Sequence, residues 1–449
     1  MIAAALVGLG GAAPSSAMLA GHARKAPRTV QSQLKRLRRS GAISATTYHS
    51  YLGSLNAALS TEARLHGTRA IELQAVIQNL QNIAAAGFLT PTRLPALFLT
   101  LDRNRQWWST GHLLATYQRI SFPGSQLVWE YYPGQGIELQ VLGSFSTANA
   151  LCNGGGQSQH AACAALLSEL IPLAANRAGG PTWEYYFQFD QGMPPWTSAM
   201  SQGTALQALA NAYRALHDPY YLTVGNEALA AFTVPPPRGV AVPTSIGTRY
   251  VQYTFDPSRG HEVINAFLQS LIGLDTYAQV SSSPLAARLF AAGNAEAQAE
   301  VPQFDTGAWS LYQPGVEDDL SYHELVTGFL AQLCKLTKAP VYCLTASHFQ
   351  RDLTTPPALT LLTKRLTARR PGALYFTLSK ISRVGITIRR GTSTLLETSA
   401  TFPYGTHSVA VPAPPRAGSY TVSLDATDLA GNHSEISGSI RVARRRRSA

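Results

Sequence analysis

Ile71-Glu-Leu-Gln-Ala-Val-Ile-Gln-Asn-Leu-Gln-Asn-Ile83 repeats apolar side chains at intervals of three and four residues. This spacing puts them on one face of an α-helix, so the stretch predicts an amphipathic helix packed on a core. The same spacing runs from Val30 to Ala86. It returns in residues 149–177, 198–217, 224–232, 262–280, 283–301 and 322–337. The chain up to Leu353 is therefore expected to be a series of packed helices.

Turns rich in proline, glycine and aromatic residues separate these helical segments. They are Phe122-Pro-Gly, Tyr132-Pro-Gly-Gln-Gly136 and Gly192-Met-Pro-Pro195. Successive helices joined by aromatic loops are typical of a fold in which helix pairs close into a ring. We therefore predict a mainly α region, an α/α toroid or incomplete α/α barrel, over residues 26–353, with its loops lining one cleft.

The pattern changes to strict alternation after Leu353. Val384, Ile386 and Ile388 point one way while their neighbours point the other, which is the period of a β-strand. Residues 354–443 have the length of an all-β immunoglobulin-like sandwich. The stretch from Gly418 to Asn432 resembles the closing strands of bacterial immunoglobulin-like modules on secreted enzymes. Such modules are spacers, attachment devices or glycan adhesins, so no catalysis is expected there.

Charge favours an anionic partner. The 449 residues carry a net charge of +11, and long-range attraction concentrates polyanions at such a surface. Basic runs at Lys35-Arg-Leu-Arg-Arg39 and in the tail, residues 444–449, have no RNA-binding or helix-turn-helix signature beside them. We interpret them as a solvated helix face and a tail, and predict no nucleic-acid partner.

Residues 1–25 open on an apolar run followed by small residues, as a signal peptide does, so we expect a secreted or cell-envelope protein. No later stretch has the length and apolarity of a membrane span.

The four cysteines form two local pairs, Cys152 with Cys163 and Cys334 with Cys343. Four cysteines permit three connectivities, of which closure within each local pair is the simplest. Disulfides of this kind favour an oxidising compartment. Neither pair has the two-residue spacing of a zinc knuckle, so no metal site is predicted.

Two short blocks contain tyrosines that suit proton chemistry. Tyr253 closes Tyr250-Val-Gln-Tyr253, and the stretch from Ser310 to His323 contains Tyr312 and Tyr322. A phenol has a pKa near ~10 in water, but beside a cation it can exchange a proton at a carbon next to a carboxylate. Uronic acids contain such a carbon.

Four blocks occur in a fixed order along the chain. They are Trp196-Thr-Ser-Ala-Met-Ser-Gln202-Gly203, Tyr250-Val-Gln-Tyr253, Asn265-Ala-Phe-Leu-Gln-Ser-Leu-Ile-Gly-Leu274 and the stretch from Phe304 to His323. In this order they resemble the C-terminal catalytic domain of D-glucuronyl C5-epimerases, which invert glucuronate to iduronate within heparan-type chains. The resemblance spans about residues 180–337.

The resemblance implies a set of site residues. Tyr253 and Tyr322 fall on the tyrosines of proton transfer at C5, and Tyr312 falls on a third active-site tyrosine. Family positions that we assign to substrate binding are matched by Trp196, Gln202, Asn265 and His323.

Two departures from the family pattern affect this assignment. Gln252 stands where the family has an acid/base glutamate, and an amide cannot exchange a proton in that role. Glu262 is a possible, unaligned substitute. Gln313-Pro314 replaces the arginine that follows the first tyrosine in the animal enzymes.

The chemistry adds requirements of its own. Inversion at C5 needs acid/base groups on both faces of the sugar and a cation for the carboxylate, but no cofactor. On a continuous strand Arg249 would share a face with Tyr253, so we expect it to lower the phenol's pKa or to bind the carboxylate. Arg259 is a second candidate. For Tyr132 and Trp196, packing and sugar stacking are left open.

Three functions are compatible with the sequence. The first is C5-epimerisation of glucuronate in an acidic polysaccharide. The second is a polysaccharide lyase, because β-elimination starts with the same proton abstraction. The third is a glycan-binding protein without catalysis, motivated by Gln252.

Two further patterns have ordinary interpretations. Glu317-Asp318-Asp319 is expected to be a solvated turn. Arg103, Arg105, Trp107 and Trp108 lie in a loop-like stretch with the chemistry of a polyanion groove, although anchoring of the tryptophans in the core is the expected outcome.

Overall fold

The computed structural model describes residues 28–258 and 262–444. The predicted leader at residues 1–25, the candidate Arg259 and most of the basic tail lie outside the described residues. The α-helices are α1 Val30–Arg39, α2 Ala45–Glu62, α3 Thr68–Ala85, α4 Leu94–Thr110, α5 Val141–Asn153, α6 Gln157–Leu170, α7 Ala199–Leu216, α8 Tyr220–Ala228, α9 Ile264–Ser281, α10 Pro284–Glu300, α11 Leu320–Thr337 and α12 Pro340–Asp352. A helical region therefore precedes a β-rich C-terminal region, as predicted.

Short strands interrupt the helical region and longer ones follow it. They are β1 Arg119–Ile120, β2 Trp129–Tyr132, β3 Gly136–Leu139, β4 Ala175–Arg177, β5 Gly180–Thr182, β6 Ala241–Pro243, β7 Thr248–Tyr250, β8 Leu311–Gln313, β9 Val316–Glu317, β10 Leu359–Leu361, β11 Arg365–Thr367, β12 Gly372–Leu378, β13 Ser382–Arg390, β14 Ser393–Phe402, β15 Gly405–Val411, β16 Gly418–Asp428 and β17 His433–Ala443. Across the described ranges, no helix has the length and apolarity to cross a membrane.

Two local predictions of secondary structure were wrong. The helix expected over residues 149–177 is divided between α5 and α6 by Gly154-Gly155-Gly156, because consecutive glycines are poor helix formers. The segment with Arg103 and Trp108 belongs to helix α4, and Trp108 is fully buried. The turn predicted at Tyr132-Pro-Gly-Gln-Gly136 is present, and it closes a β-hairpin between β2 and β3 in which Tyr132 pairs with Gly136.

Helices α7 and α9 form the centre of the helical region. Both are buried along most of their length. Their backbones touch, because a methyl group on Gly273 would overlap the carbonyl oxygen of Gly203. The loops that carry Trp196 and Tyr253 lead into these two helices, so the site described below starts from a tightly packed base.

Both disulfides close within the local pairs, as predicted. Cys152 is bonded to Cys163 and joins α5 to α6. Cys334 is bonded to Cys343 and joins α11 to α12.

The β-rich region contains two sheets around one core. Their strand orders are β10-β12-β15 and β11-β17-β16-β13-β14. Phe376 from the first sheet and Val384, Ile386 and Ile388 from the second are buried in the same cluster. The alternation predicted for β13 is observed, with these three side chains inward.

Buried polar contacts of Lys380 hold the β-rich region against the helical region, and we call this set of contacts the Lys380 clasp. The Lys380 ammonium pairs with Asp428 at 2.7 Å and donates to the carbonyl oxygens of Asp352 and Thr355. It also lies 5.1 Å from the ring centroid of Trp309. These contacts fix the β-rich region against the segment that precedes Tyr312.

Glu317 makes a second clasp, since its carboxylate accepts from the backbone N–H groups of Ile381 and Tyr404. Of the predicted solvated turn, only Asp319 is exposed, as the N-cap of α11, whereas Asp318 is buried. The prediction was wrong for Asp318 because the β-rich region and α11 cover that side of the turn.

Candidate active site

Tyr253, Tyr312 and Tyr322 line one cavity of about 1150 Å³. The ring centroids of Tyr312 and Tyr322 are 5.0 Å apart. The phenol of Tyr312 interacts with that of Tyr253 and opposes the rise in the pKa of Tyr253 that burial causes. Three phenols from three separate segments thus converge on one cavity.

Local packing positions each phenol. Tyr253 follows β7 in a loop, and its ring stacks on Phe255 at 5.2 Å and packs against Trp196 at 5.9 Å. Tyr312 belongs to β8. Tyr322 lies in the first turn of α11, where its backbone N–H donates to the Asp319 side chain. A strand and a helix thus carry Tyr312 and Tyr322, whereas neighbouring aromatic rings position Tyr253 in its loop.

Burial raises the pKa of each of these phenols. For Tyr253 this increase is opposed by hydrogen bonds from Tyr312 and Gln252. Burial and the neighbouring Tyr312 raise the pKa of Tyr322 to about 12. The pKa of Tyr312 is raised as well, first by burial and then by Tyr253. At neutral pH the phenols are thus predominantly protonated, and Tyr253 has the most support for its ionised form.

Gln252 lines the cavity beside Tyr253. Its side-chain oxygen accepts a hydrogen bond from Ser198 at 2.9 Å, which orients the amide. The amide N–H is the group that can donate to the Tyr253 oxygen. Gln252 is thus placed to stabilise a phenolate, although it cannot exchange a proton itself.

Aromatic side chains form a continuous wall of the cavity. Trp196 stacks on Tyr185 with ring centroids 4.3 Å apart, and its indole N–H donates to the carbonyl of Phe187. Tyr132 lies 4.5 Å from Phe187 and accepts a hydrogen bond from Gln140. Trp196 is nearly fully buried, so its main role is packing, whereas half-buried Tyr132 keeps a surface for a sugar ring.

The structure places four predicted residues away from the cavity lining. His323 is buried, stacks on Trp309 at 3.7 Å and contacts Ser310. The Gln202 amide donates to the carbonyl of Trp183 inside the core. Buried positions outside the lining also hold Asn265 and Arg249.

Arg249 requires an explicit correction. Its guanidinium is buried and pairs with Glu300 on α10. The expected contact with Tyr253 assumed a strand through residue 253, but β7 ends at Tyr250, so the alternation stops before the phenol. Arg249 is therefore assigned to the packing of α10 against β7.

Sequence reasoning missed the hairpin contribution to the cavity. Glu130 and Arg119 line it together with Tyr132. They are cross-strand partners, with Arg119 Nε 3.2 Å from a Glu130 oxygen. The alternation of Trp129-Glu-Tyr-Tyr132 was the available signal, because it puts Glu130 and Tyr132 on one face.

Asp318 and His323 both contact Ser310, and their pKa values are shifted in opposite directions. Burial raises the pKa of Asp318 from 3.8 to about 7, while the Ser310 hydroxyl donates to it at 2.5 Å. Burial lowers the pKa of His323 from 6.5 to about 4. The Ser310 backbone N–H donates to His323 Nδ1, and His323 Nε2 lies 3.0 Å from the Phe349 carbonyl, which fits a neutral Nε2–H ring.

The two pKa shifts predict opposite effects of pH on stability, which partly cancel in the native protein. Between pH 4 and 7 folded Asp318 binds more protons than the unfolded chain, so its contribution to stability falls as pH rises. Between pH 4 and 6.5 folded His323 binds fewer protons, so its contribution rises. Replacing Asp318 by Asn should expose the histidine effect, an increase of about 3 kcal/mol in unfolding free energy from pH 4 to 6.5.

Urea denaturation at pH 4.0, 5.5 and 6.5 measures this difference. Asp425→Asn, at an exposed position of β16, is the matched control and should run parallel to the native protein. Parallel curves for Asp318→Asn and the native protein would contradict the assignment.

Comparison with known proteins identifies the class. Residues 179–351 match the family model described as the D-glucuronyl C5-epimerase C-terminus. An uncharacterized protein of Methanocaldococcus jannaschii is 29% identical over 136 residues, which cover 29% of this chain and 44% of that protein. The D-glucuronyl C5-epimerase of Caenorhabditis elegans is 30% identical over 132 residues, covering 26% of this chain and 21% of the relative.

Two solved structures are similar to parts of the chain. Cellobiose 2-epimerase from Spirochaeta thermophila has a TM-score of 0.37 and 14% identity, covering 63% of this chain and 72% of its own. An α-mannanase of Bacteroides thetaiotaomicron has a TM-score of 0.36 and 10% identity, covering 52% of this chain and 65% of its own.

Proposed function

We propose that the protein is a carbohydrate epimerase that inverts C5 of glucuronate residues in an acidic polysaccharide. The convergence of Tyr253, Tyr312 and Tyr322 on one cavity is the observation that carries this proposal. The match of residues 179–351 to the D-glucuronyl C5-epimerase C-terminus supports it. The net charge of +11 favours a polyanionic substrate.

The proposed reaction uses two phenols on opposite faces of the sugar. Ionised Tyr253 takes the C5 proton, and the electron pair of the broken C–H bond passes into the carboxylate as an enediolate. Tyr322 then gives its proton to C5 from the other face. Tyr253 is left protonated and Tyr322 ionised, and proton exchange with solvent resets them.

Neighbouring groups support the base in this scheme. Tyr312 and Gln252 both oppose the rise in the pKa of Tyr253 caused by burial, which favours its phenolate form. Tyr322, with its pKa raised to about 12, holds its proton at neutral pH and is suited to be the donor. Burial raises the pKa of Tyr253, so its ionised fraction increases with pH and we expect turnover to increase on the alkaline side of neutrality.

We extend the proposal to the whole chain. Residues 26–353 would be a helical toroid, residues 354–443 an immunoglobulin-like sandwich, and residues 1–25 a leader that directs secretion. The disulfides Cys152–Cys163 and Cys334–Cys343 favour an oxidising compartment.

Incubation with glucuronate polymers in deuterated water tests the reaction. We expect deuterium at C5 and the appearance of iduronate, without new unsaturated ends that absorb in the ultraviolet. Unsaturated ends would instead identify a lyase, which expels the C4 oxygen after the same abstraction. Absence of label in every glucuronate polymer would reject the epimerase.

A glycan-binding protein without catalysis is the second candidate. Gln252 favours it, because no carboxylate stands at the family's glutamate position. Saturable binding of a glucuronate polymer with no C5 label at any pH would select this function.

A further inference from the structure

The cavity contains little charge for a site that would receive a polyanion. Among the described residues that line it, the charged side chains are Arg119 and Glu130. A uronate carboxylate buried against aromatic rings needs a cation, because desolvation of an unpaired charge is costly. Arg119 is the cation that the described lining offers.

Three arginines of the helical region with buried side chains are already paired with carboxylates. Arg93 and Arg177 both bind the buried Glu184. Arg249 pairs with Glu300. These guanidiniums cannot turn to a substrate without leaving a buried acid unpaired, which costs several kcal/mol.

Arg119 differs from them in geometry. Its Nε is held by Glu130 across the β1–β2 pair, while 66% of its side chain is exposed. A guanidinium has five N–H donors in a fork, so the terminal amino groups remain available as donors to a second carboxylate. Glu130 thus orients the Arg119 guanidinium through Nε and leaves its other N–H donors available.

Arg119 is connected to the phenols by the aromatic wall. Tyr117, two residues before Arg119, has its ring centroid 5.6 Å from that of Tyr132, and the Tyr132 centroid lies 4.5 Å from that of Phe187. Phe187 in turn contacts Trp196, which lies against Tyr253. A row of rings from the charged hairpin to the reacting phenol fits a saccharide chain lying along it.

We propose that Arg119, oriented by Glu130, binds a uronate carboxylate of the polysaccharide in the cavity. This inference rests on the proposed function for its ligand class but not for its chemistry.

Binding of a matched ligand pair tests the inference. The probes are a heparan-type glucuronate oligosaccharide and its carboxyl-reduced counterpart, titrated at pH 7 by calorimetry. The native protein should prefer the acidic probe by about tenfold, the lower range for a charge-assisted hydrogen bond. Arg119→Met should bind both probes equally, with the affinity for the neutral probe unchanged. Arg383→Met, at an exposed position of β13, is the control and should keep the preference.

The outcomes separate this inference from the proposed function. A native protein without preference, or Arg119→Met with the full preference, would overturn the role of Arg119 whatever the result of C5 labelling. Loss of preference in Arg119→Met supports the role even if C5 remains unlabelled, in which case only the epimerase proposal fails.

Discussion

Tyr253→Phe and Tyr322→Phe are each expected to reduce inversion at C5 by about 10²- to 10⁴-fold, the usual contribution of a general acid or base. The two variants should differ in isotope exchange. Tyr322→Phe keeps the abstracting phenol, so glucuronate should still acquire deuterium at C5 with retention of configuration. Tyr253→Phe should lose this exchange too. Nuclear magnetic resonance of the product sugar measures label and configuration together.

Tyr250→Phe is the matched control for these substitutions. Its phenol is buried outside the cavity lining and donates to the Leu289 carbonyl at 2.8 Å. We expect a loss of about 1 kcal/mol in stability and unchanged C5 exchange. Full inversion by either cavity variant would mean that its phenol does not transfer the proton.

Lys380→Met should destabilise the protein by about 3–5 kcal/mol, the usual cost of breaking a buried ion pair from one side. Lys380 is 1% exposed, and its removal leaves Asp428 and two carbonyl oxygens without their shared donor. Inversion should fall as well, because the ammonium lies over Trp309, which stacks on His323 beneath the segment that carries Tyr312. Guanidinium denaturation and C5 labelling measure the two effects.

Two variants make this expectation specific. Lys335→Met, at an exposed position of α11, should change stability by less than about 0.5 kcal/mol. Lys380→Met combined with Asp428→Asn should recover part of the loss, because no unpaired charge then remains buried. A single Lys380→Met variant as stable as the native protein would show that this clasp holds little free energy.

Local patterns predicted much of the secondary structure. Apolar spacing placed α7, α9, α10 and α11 within a few residues, and alternation placed β13 and β16. The cysteine pairs closed over the short separations that the sequence favours. Each of these features depends on residues near one another in the chain, which is why periodicity and spacing predicted them.

The site was predicted only in part, because its remaining contacts join distant residues. Arg249 pairs with Glu300 and Arg93 pairs with Glu184. Neither pair can be predicted from a periodic pattern in the sequence. His323 follows Tyr322 directly, yet one side chain enters the core and the other the cavity. Sequence resemblance could nominate both positions but could not separate the residue that faces the substrate from the one that supports it.

The β1–β3 hairpin lies before residue 179, outside the segment that matches the epimerase family. An excised fragment of that segment would contain every phenol of the proposed reaction and neither of the charges beside them. Under the two proposals, the residues that select the ligand and the residues that invert C5 thus lie in separate segments of the chain. Substitutions in β1 or β2 should then change the preference for an anionic glycan without changing proton transfer at C5.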